Sequence, residues 1–141
     1  MLRFLLDPSL WRRSFWFPAT VALLHLLITI PVNLYAIWPD VDRPMHFLGG
    51  VSVAYAAYGL LSELIRRSWI VISPPRLLHY TVIATVGLAT IIWEFYEFCL
   101  NYFFGIRVQT SLHDTLIDVF LGIAGAVVYT ILRVACRFRG V

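Results

Sequence analysis

Two glutamates stand in a part of the chain that is otherwise apolar. Glu94 and Glu97 lie in the run IIWEFYEF, and their spacing of three residues places both carboxylates on one face of a helix. A charged side chain at the centre of a bilayer costs about 2.5 to 3.5 kcal/mol. Two interpretations remain open. The acids pair with arginines or hydrogen-bond to neighbouring helices, or they serve a function.

Asp114 and Asp118 form a second acidic pair, and their spacing of four residues again favours one helix face. Ser111 and Asp114 resemble a capping box, and an acid near a helix N-terminus is favourable, so Asp114 has a structural explanation. Asp118 lies one turn deeper, where that explanation does not apply. We therefore favour a functional role for Asp118 and leave Asp114 open.

Asp42 and His46 show the same spacing of four residues at the start of another apolar stretch. Pro44 suits the first turn of a helix, and Asp42 is predicted as the N-cap of that helix. A single histidine is usually structural. A histidine that shares a helix face with an aspartate, at the same depth as four other carboxylates, indicates a site.

The elements that must position these residues are membrane helices. The chain has 141 residues, of which 60% are hydrophobic and 13% are charged, whereas a soluble domain carries about 25% charged residues. Each apolar stretch is near or above the roughly 20 residues that a helix needs to cross a bilayer. The sequence predicts an all-α fold, an integral membrane four-helix bundle in a single domain over residues 1–141. Its spans are predicted at about residues 15–38, 45–65, 77–104 and 116–135.

The arginines predict the orientation of the bundle. Nine of them lie in the N-terminal segment, the connection between the second and third spans, and the C-terminal segment, while only Arg43 and Arg107 lie in the other two connections. The positive-inside rule then places both chain ends in the cytoplasm. The segment from Met1 to Trp16, with a break at Asp7-Pro8, is either a short interfacial helix or an extension of the first span.

This topology brings six ionisable side chains to about one level near the outer face: Asp42, His46, Glu94, Glu97, Asp114 and Asp118. Carboxylates this close in a low dielectric must share protons, pair with arginine or bind a cation, and two outer arginines are too few for all of them. We predict a divalent metal ion, with Mg²⁺, Mn²⁺, Ca²⁺ and Zn²⁺ all left open. The predicted metal ligands are His46, Glu94, Glu97 and Asp118. The predicted general base, or residue that orients a ligand, is Asp114 or Asp42.

Other residues in the spans have structural explanations. Glu63 stands beside Arg66 and Arg67, so ion pairing explains it as well as function does. His25 is expected to be an interior histidine. Four glycines are predicted to permit close helix packing: Gly49, Gly50, Gly122 and Gly125.

The same residues resemble a known family. The motifs are Asp42-x-x-x-His46-Phe47-x-Gly49-Gly50, then Trp93-Glu94-x-x-Glu97, then Asp114-Thr115-x-x-Asp118 followed by Gly122 and Ala124-Gly125-Ala126. They are similar to small bacterial polytopic membrane proteins of the YjdF-like type, and more loosely to VanZ-like proteins. The similarity covers about residues 42–126. It implies a compact helical protein of the cell envelope, in the bacterial cytoplasmic (inner) membrane, and it implies little chemistry.

Three functions remain open. A metal-dependent hydrolase or transferase would act on a lipid or a lipid-linked envelope substrate, and we favour it slightly, although no G-x-S-x-G, H-E-x-x-H or P-loop motif supports it. An ion- or proton-coupled transport protein is the second, for which a homo-oligomer would be expected. The third is a structural protein whose carboxylates join helices. Membrane lipids are the expected partners. Nucleic acid is not, because the arginines flank apolar runs and form no basic stripe.

Overall fold

The described residues fold into four α-helices and contain no strand. The computed structural model describes residues 8–25, 27, 37–105, 109 and 111–138. Helix α1 is Pro8–Leu24, α2 is Asp42–Arg66, α3 is Leu77–Phe104 and α4 is Leu112–Phe138. A 3-10 turn at Pro39–Val41 leads directly into α2. The predicted all-α class is confirmed.

Three of these helices are long and apolar enough to cross a membrane. They are α2, α3 and the Leu112–Cys136 part of α4, and they contain the predicted spans 45–65, 77–104 and 116–135. Helix α1 contains residues 15–24 of the first predicted span. Leu26 and residues 28–36 of that span lie outside the described residues.

The starts of two helices test two local predictions. Helix α1 begins at Pro8, at the predicted break, and continues through Trp16, so the described part of the N-terminal segment extends the first helix instead of forming a separate one. The predicted N-cap at Asp42 is wrong. Val41 takes that position without a side-chain cap bond, and Asp42 is already helical, with φ −61° and ψ −45°. A side-chain N-cap needs a non-helical backbone, which a preceding 3-10 turn does not provide.

Helix α2 lies at the centre of the bundle. It packs against α1, α3 and α4, and α3 also packs against α4. Glycine makes the closest approach possible, because a Cβ on Gly50 would overlap the Gly122 carbonyl and a Cβ on Gly125 would overlap the Phe47 carbonyl. Gly49 differs from the prediction. A Cβ there would meet no atom of the described residues within 4 Å, so no packing between the described helices requires this glycine.

The surface and the interior have the pattern of a protein in lipid. The buried core is small, with Ala54, Tyr58, Val82, Val86 and Ala126 among its members. Large apolar side chains instead cover the outside, and Leu88, Phe95, Phe120 and Ile131 are each more than half exposed. Such a surface suits a hydrocarbon solvent, in which helices associate through small residues at their contacts.

Candidate cation site

The first turns of two helices and the second half of a third meet at one end of the bundle. Helices α2 and α4 begin at the end where α3 approaches its C-terminus, because consecutive long helices run antiparallel. The six side chains predicted from sequence therefore come together there, and we call them the acidic cluster: Asp42, His46, Glu94, Glu97, Asp114 and Asp118. Each belongs to at least one group of three residues whose potential metal-ligand atoms lie within 4.8 Å of one another.

His46 lies between carboxylates from two helices. Its Nε2 is 3.4 Å from Asp42 Oδ1, one turn earlier on α2. Its Nδ1 is 3.6 Å from Glu94 Oε1 on α3. Both separations exceed the 2.7–3.2 Å of a normal N–H···O hydrogen bond. The imidazole therefore faces both acids without a tight bond to either one.

The cluster is shielded from its surroundings. Glu94 and Glu97 are each 5% exposed and Asp118 is 2% exposed, while Asp42 and His46 are also buried. Asp114 is half-buried, as its position in the first turn of α4 dictates. Acidic residues are almost never buried this deeply unless they are paired or bind a metal ion.

Two of the buried acids lack the partners that burial normally requires. Both Oε atoms of Glu94 and the Oδ1 atom of Asp118 have no hydrogen-bond partner among the described residues. A buried unpaired carboxylate is costly, and most buried polar atoms have a partner. These oxygens face the same small volume as His46, in the group of ligand atoms that His46 forms with Glu94 and Asp118.

Glu97 has a different environment from Glu94. The Trp93 indole Nε1–H donates a hydrogen bond of 2.8 Å to Glu97 Oε1, from one turn earlier on the same helix. Glu97 groups with Asp42 and His46, on another side of the cluster from Glu94 and Asp118. One carboxylate of α3 is thus held by a neutral donor, and the other faces the His46 imidazole at 3.6 Å, beside Thr115 and Gln109, without a hydrogen bond of normal geometry.

Polar residues near the cluster hold the end of α3 to the start of α4. The Asn101 side-chain amide donates to the Gln109 carbonyl at 2.5 Å, and Gln109 Nε2 donates to Thr115 Oγ1 at 2.6 Å. The Asp114 backbone N–H donates to Ser111 Oγ at 3.2 Å, which confirms the predicted serine cap. Sequence reasoning did not identify Asn101 and Gln109, because uncharged polar residues near a span end are unremarkable without knowledge of their partners.

Arginine provides little compensation at this end. Arg43 Nη1 forms an exposed ion pair with Asp40 Oδ1 at 2.8 Å. Arg107, the other arginine predicted for this face, lies outside the described residues. Arginine pairing is therefore not the response of Glu94 and Asp118 in the described part of the chain, and the His46 imidazole, proton sharing and cation binding remain.

A cavity of about 280 Å³ adjoins the cluster. Asp42 and His46 belong to its wall as well as to the cluster. His25, which follows α1, also lines it, and its ring stands edge-on to the Trp93 ring at a centroid distance of 5.8 Å. The predicted interior histidine thus lies on the wall of a cavity.

No curated protein and no solved structure matches the chain. A family model described as a predicted membrane protein, DUF2238, matches residues 6–139. The matched range includes all four helices and every member of the acidic cluster. The chain belongs to the DUF2238 family of predicted membrane proteins.

Proposed function

We propose that the acidic cluster binds a divalent cation and that the protein uses this cation in chemistry on a lipid or a lipid-linked phosphate. The observation that carries the proposal is the pair of buried acids, Glu94 and Asp118, whose oxygens lack hydrogen-bond partners among the described residues. A cation would remove the cost of burying both. It would also explain why three helices direct these oxygens toward one imidazole.

The size of the cluster suits a shared ion. Ligand atoms on opposite sides of Mg²⁺ lie about 4.2 Å apart, and those around Ca²⁺ lie up to about 5 Å apart, given metal–oxygen distances of about 2.1 and 2.3–2.6 Å. The ligand atoms of His46, Glu94 and Asp118 lie within 4.8 Å of one another. They form the central set of ligands, and Glu97 and Asp42 complete it from the adjoining group.

The proposed reaction is hydrolysis or transfer at a phosphoryl group. A bound divalent ion polarises a phosphoryl oxygen and stabilises the charge that develops on it. Asp114, the least buried acid of the cluster, is placed to accept a proton from water or another hydroxyl. In hydrolysis the water oxygen bonds to phosphorus, the phosphorus–oxygen bond to the lipid alcohol breaks, and that proton passes to the departing oxygen. The products are the free alcohol and inorganic phosphate.

A structural role is the second candidate, and one observation favours it. The cluster draws on α2, α3 and α4 together, so an ion there would join three helices as well as hold a substrate. Transport has less support. Its route across the bilayer would need Glu63, and that carboxylate is held by Arg66 and Arg67, with bonds of 2.7 Å and 2.6 Å from their Nε atoms.

We also propose a membrane and an orientation for the protein. The YjdF-like and VanZ-like resemblance supports the cytoplasmic membrane of a bacterium. The distribution of nine arginines against two supports four spans with both ends in the cytoplasm. In this orientation the acidic cluster lies near the outer leaflet, where envelope lipids and their phosphate-linked carriers are accessible.

Metal content tests the proposal directly. We expect about one divalent ion per chain in wild-type protein purified in detergent and measured by mass spectrometry, since one group of ligands surrounds one position. The Glu94→Gln/Asp118→Asn variant, which keeps side-chain size, should hold none. Asp40→Asn is the matched control, because Asp40 is an exposed acid at the same end that pairs with Arg43. Circular dichroism and size exclusion show whether each variant is folded.

The outcomes separate the candidates. Wild-type protein that holds no ion, even after reloading with Mg²⁺, Mn²⁺, Ca²⁺ and Zn²⁺, would rule out the cation site. If metal is present, the metal-loaded protein is assayed for phosphate release from lipid phosphates in vesicles. Metal-dependent release that is lost in Asp114→Asn supports catalysis. A metal-loaded, folded protein that releases nothing from any lipid phosphate leaves the structural role.

A further inference from the structure

The cavity beside the acidic cluster is a gap between two helices of the bundle. Pro18, Val21 and Ala22 of α1 form one wall, and α3 forms the opposite wall with Val86 and Ala89. Helix α2 forms the floor, because both α1 and α3 pack against it. The cavity therefore extends from the cluster along the direction of the helices, within the part of the chain that lies in lipid.

Its polarity changes along its length. Among the described residues that line it, the charged and titratable groups are Asp42, His46 and His25, and they lie at the end near the cluster. Ser52 and Thr90 also line it, but their hydroxyls donate to backbone carbonyls of their own helices, at 2.8 Å to Gly49 and 2.9 Å to Val86. Both are therefore satisfied without a ligand. The remainder of the wall is apolar, which suits a molecule with one polar head and a hydrocarbon tail.

The volume indicates a single tail. At about 280 Å³ the cavity is just below the roughly 300 Å³ at which pockets for drug-sized ligands begin. A two-chain phospholipid has far more hydrocarbon than this space holds. The space is of the size of a segment of one alkyl or isoprenyl chain.

Gly49 supports the same conclusion independently. It lines the cavity, and a Cβ at this position would meet no atom of the described residues within 4 Å. Glycine weakens a helix interior relative to alanine, and here no close helix contact requires it. The absent side chain instead leaves space in the cavity beside His46. Its neighbour Gly50 is required for packing, so the two adjacent glycines have different roles.

We infer that this cavity binds the tail of a single-chain lipid phosphate, an alkyl or isoprenyl phosphate, with its phosphate against the acidic cluster and its bound cation. The inference rests on the proposed function, because only a cation lets a phosphate approach so many carboxylates. It narrows that function from lipid phosphates in general to those with one chain. The apolar wall selects the tail and the cluster selects the head.

Photo-crosslinking tests where the tail lies. Protein in detergent, loaded with Mn²⁺, is mixed with dodecyl phosphate that carries a diazirine at the end of its chain, and crosslinked residues are identified by mass spectrometry. We expect saturable labelling of cavity residues such as Val21, Val53 and Val86. Unlabelled dodecyl phosphate should compete strongly, and inorganic phosphate, which has no tail, should compete only weakly.

Three leucine substitutions test the cavity itself. Gly49→Leu fills it from the floor and Ala89→Leu from one wall, while Ala84→Leu places the same side chain on the exposed face of α3. Excluding even two methylene groups of the tail weakens binding by roughly tenfold. We therefore expect both cavity variants to lose labelling by about that factor, and Ala84→Leu to match wild type. Unchanged metal content in Gly49→Leu shows that its fold and cation site are intact.

The results distinguish failure of the inference from failure of the proposed function. A protein that holds its metal but is labelled evenly over its lipid-facing surface, with no effect of Gly49→Leu, overturns the inference and leaves the cation site standing. Removal of the metal with EDTA tests whether the phosphate group of the lipid binds at the cation. Cavity labelling that falls on chelation supports the phosphate at the cation, and labelling that chelation does not change overturns that part of the inference.

Discussion

The two ends of the bundle both contain acids and a histidine, but these residues differ in whether other side chains bind them. At one end the acidic cluster buries Glu94 and Asp118 with oxygens that have no hydrogen-bond partner among the described residues. At the other end of α2, Glu63 receives hydrogen bonds from two arginines, at 2.7 Å from Arg66 Nε and 2.6 Å from Arg67 Nε. We call this second region the arginine end. Its acid is neutralised by the chain itself.

Histidine shows the same contrast. At the arginine end His79 Nδ1 and the Tyr58 hydroxyl share a hydrogen bond of 2.5 Å. The Arg133 guanidinium lies 4.7 Å from the centroid of the Tyr58 ring, within the range of a cation–π interaction. His46 has two facing carboxylates at 3.4 and 3.6 Å and no bond of that quality. The histidine at the arginine end is held by a protein partner, whereas His46 faces carboxylates that lack hydrogen-bond partners among the described residues.

Metal removal should produce the largest difference between the two ends. A ligand at 100 times its dissociation constant stabilises the folded state by about 2.7 kcal/mol. We therefore expect EDTA to lower the thermal midpoint of wild-type protein, measured by circular dichroism in detergent. The Glu94→Gln/Asp118→Asn variant should show no response to EDTA. A wild-type midpoint that EDTA leaves unchanged in metal-loaded protein would mean that the acidic cluster does not couple an ion to folding.

Removal of one hydroxyl at the arginine end should have a moderate effect. Tyr58 is 1% exposed, so Tyr58→Phe removes a buried hydroxyl and leaves Nδ1 of the half-buried His79 without this partner, while the ring remains beside Arg133. We expect a loss of about 1–2 kcal/mol in the free energy of unfolding. Metal content should stay at the wild-type level. Tyr80→Phe, at a residue that is 64% exposed, is the control and should have little effect.

A change of metal content in Tyr58→Phe would contradict the view that the acidic cluster and the arginine end are independent. It would mean that the arginine end influences the acidic cluster through the bundle, and the two ends could no longer be treated as separate regions. Equal losses of stability in Tyr58→Phe and Tyr80→Phe would show that the short Tyr58–His79 hydrogen bond contributes nothing beyond solvation of a hydroxyl.

The sequence predicts the helices and the level of the cluster because both depend on simple patterns. Apolar runs predict α3 at residues 77–104, the range that the structure shows. The positive-inside distribution of arginines gives the direction of each span, and the direction of each span brings Asp42, Glu94 and Asp118 to one end. Neither step requires knowledge of side-chain contacts.

The individual contacts depend on how each helix is rotated about its axis and on the backbone conformation at its ends. The sequence does not determine either one by a simple pattern. Adjacent residues on a helix point about 100° apart. Gly50 therefore packs against α4 while Gly49 does not. The amino-acid sequence does not show which of the two glycines makes this contact. The cap of α2 was mispredicted because the 3-10 turn at Pro39–Val41 makes Asp42 helical. Glu94 and Glu97 look equivalent in sequence, yet only Glu97 receives the Trp93 indole N–H.

Two substitutions of glutamate by glutamine, one at each end of the bundle, should change the thermal midpoint in opposite directions. Each change is expected to be small. In metal-free protein, Glu94→Gln replaces a buried carboxylate that has no hydrogen-bond partner among the described residues and only the His46 imidazole at 3.6 Å, so the thermal midpoint should equal or exceed that of wild type. Glu63→Gln removes the negative charge and one of the two acceptor oxygens that Arg66 and Arg67 bind in a partly exposed position, so the midpoint should fall slightly. Metal loading should reverse the order, because Glu94→Gln then loses a ligand and Glu63→Gln does not. Identical responses of both variants in metal-free protein would show that pairing does not distinguish the two ends, and the case for a ligand at Glu94 would rest on metal analysis alone.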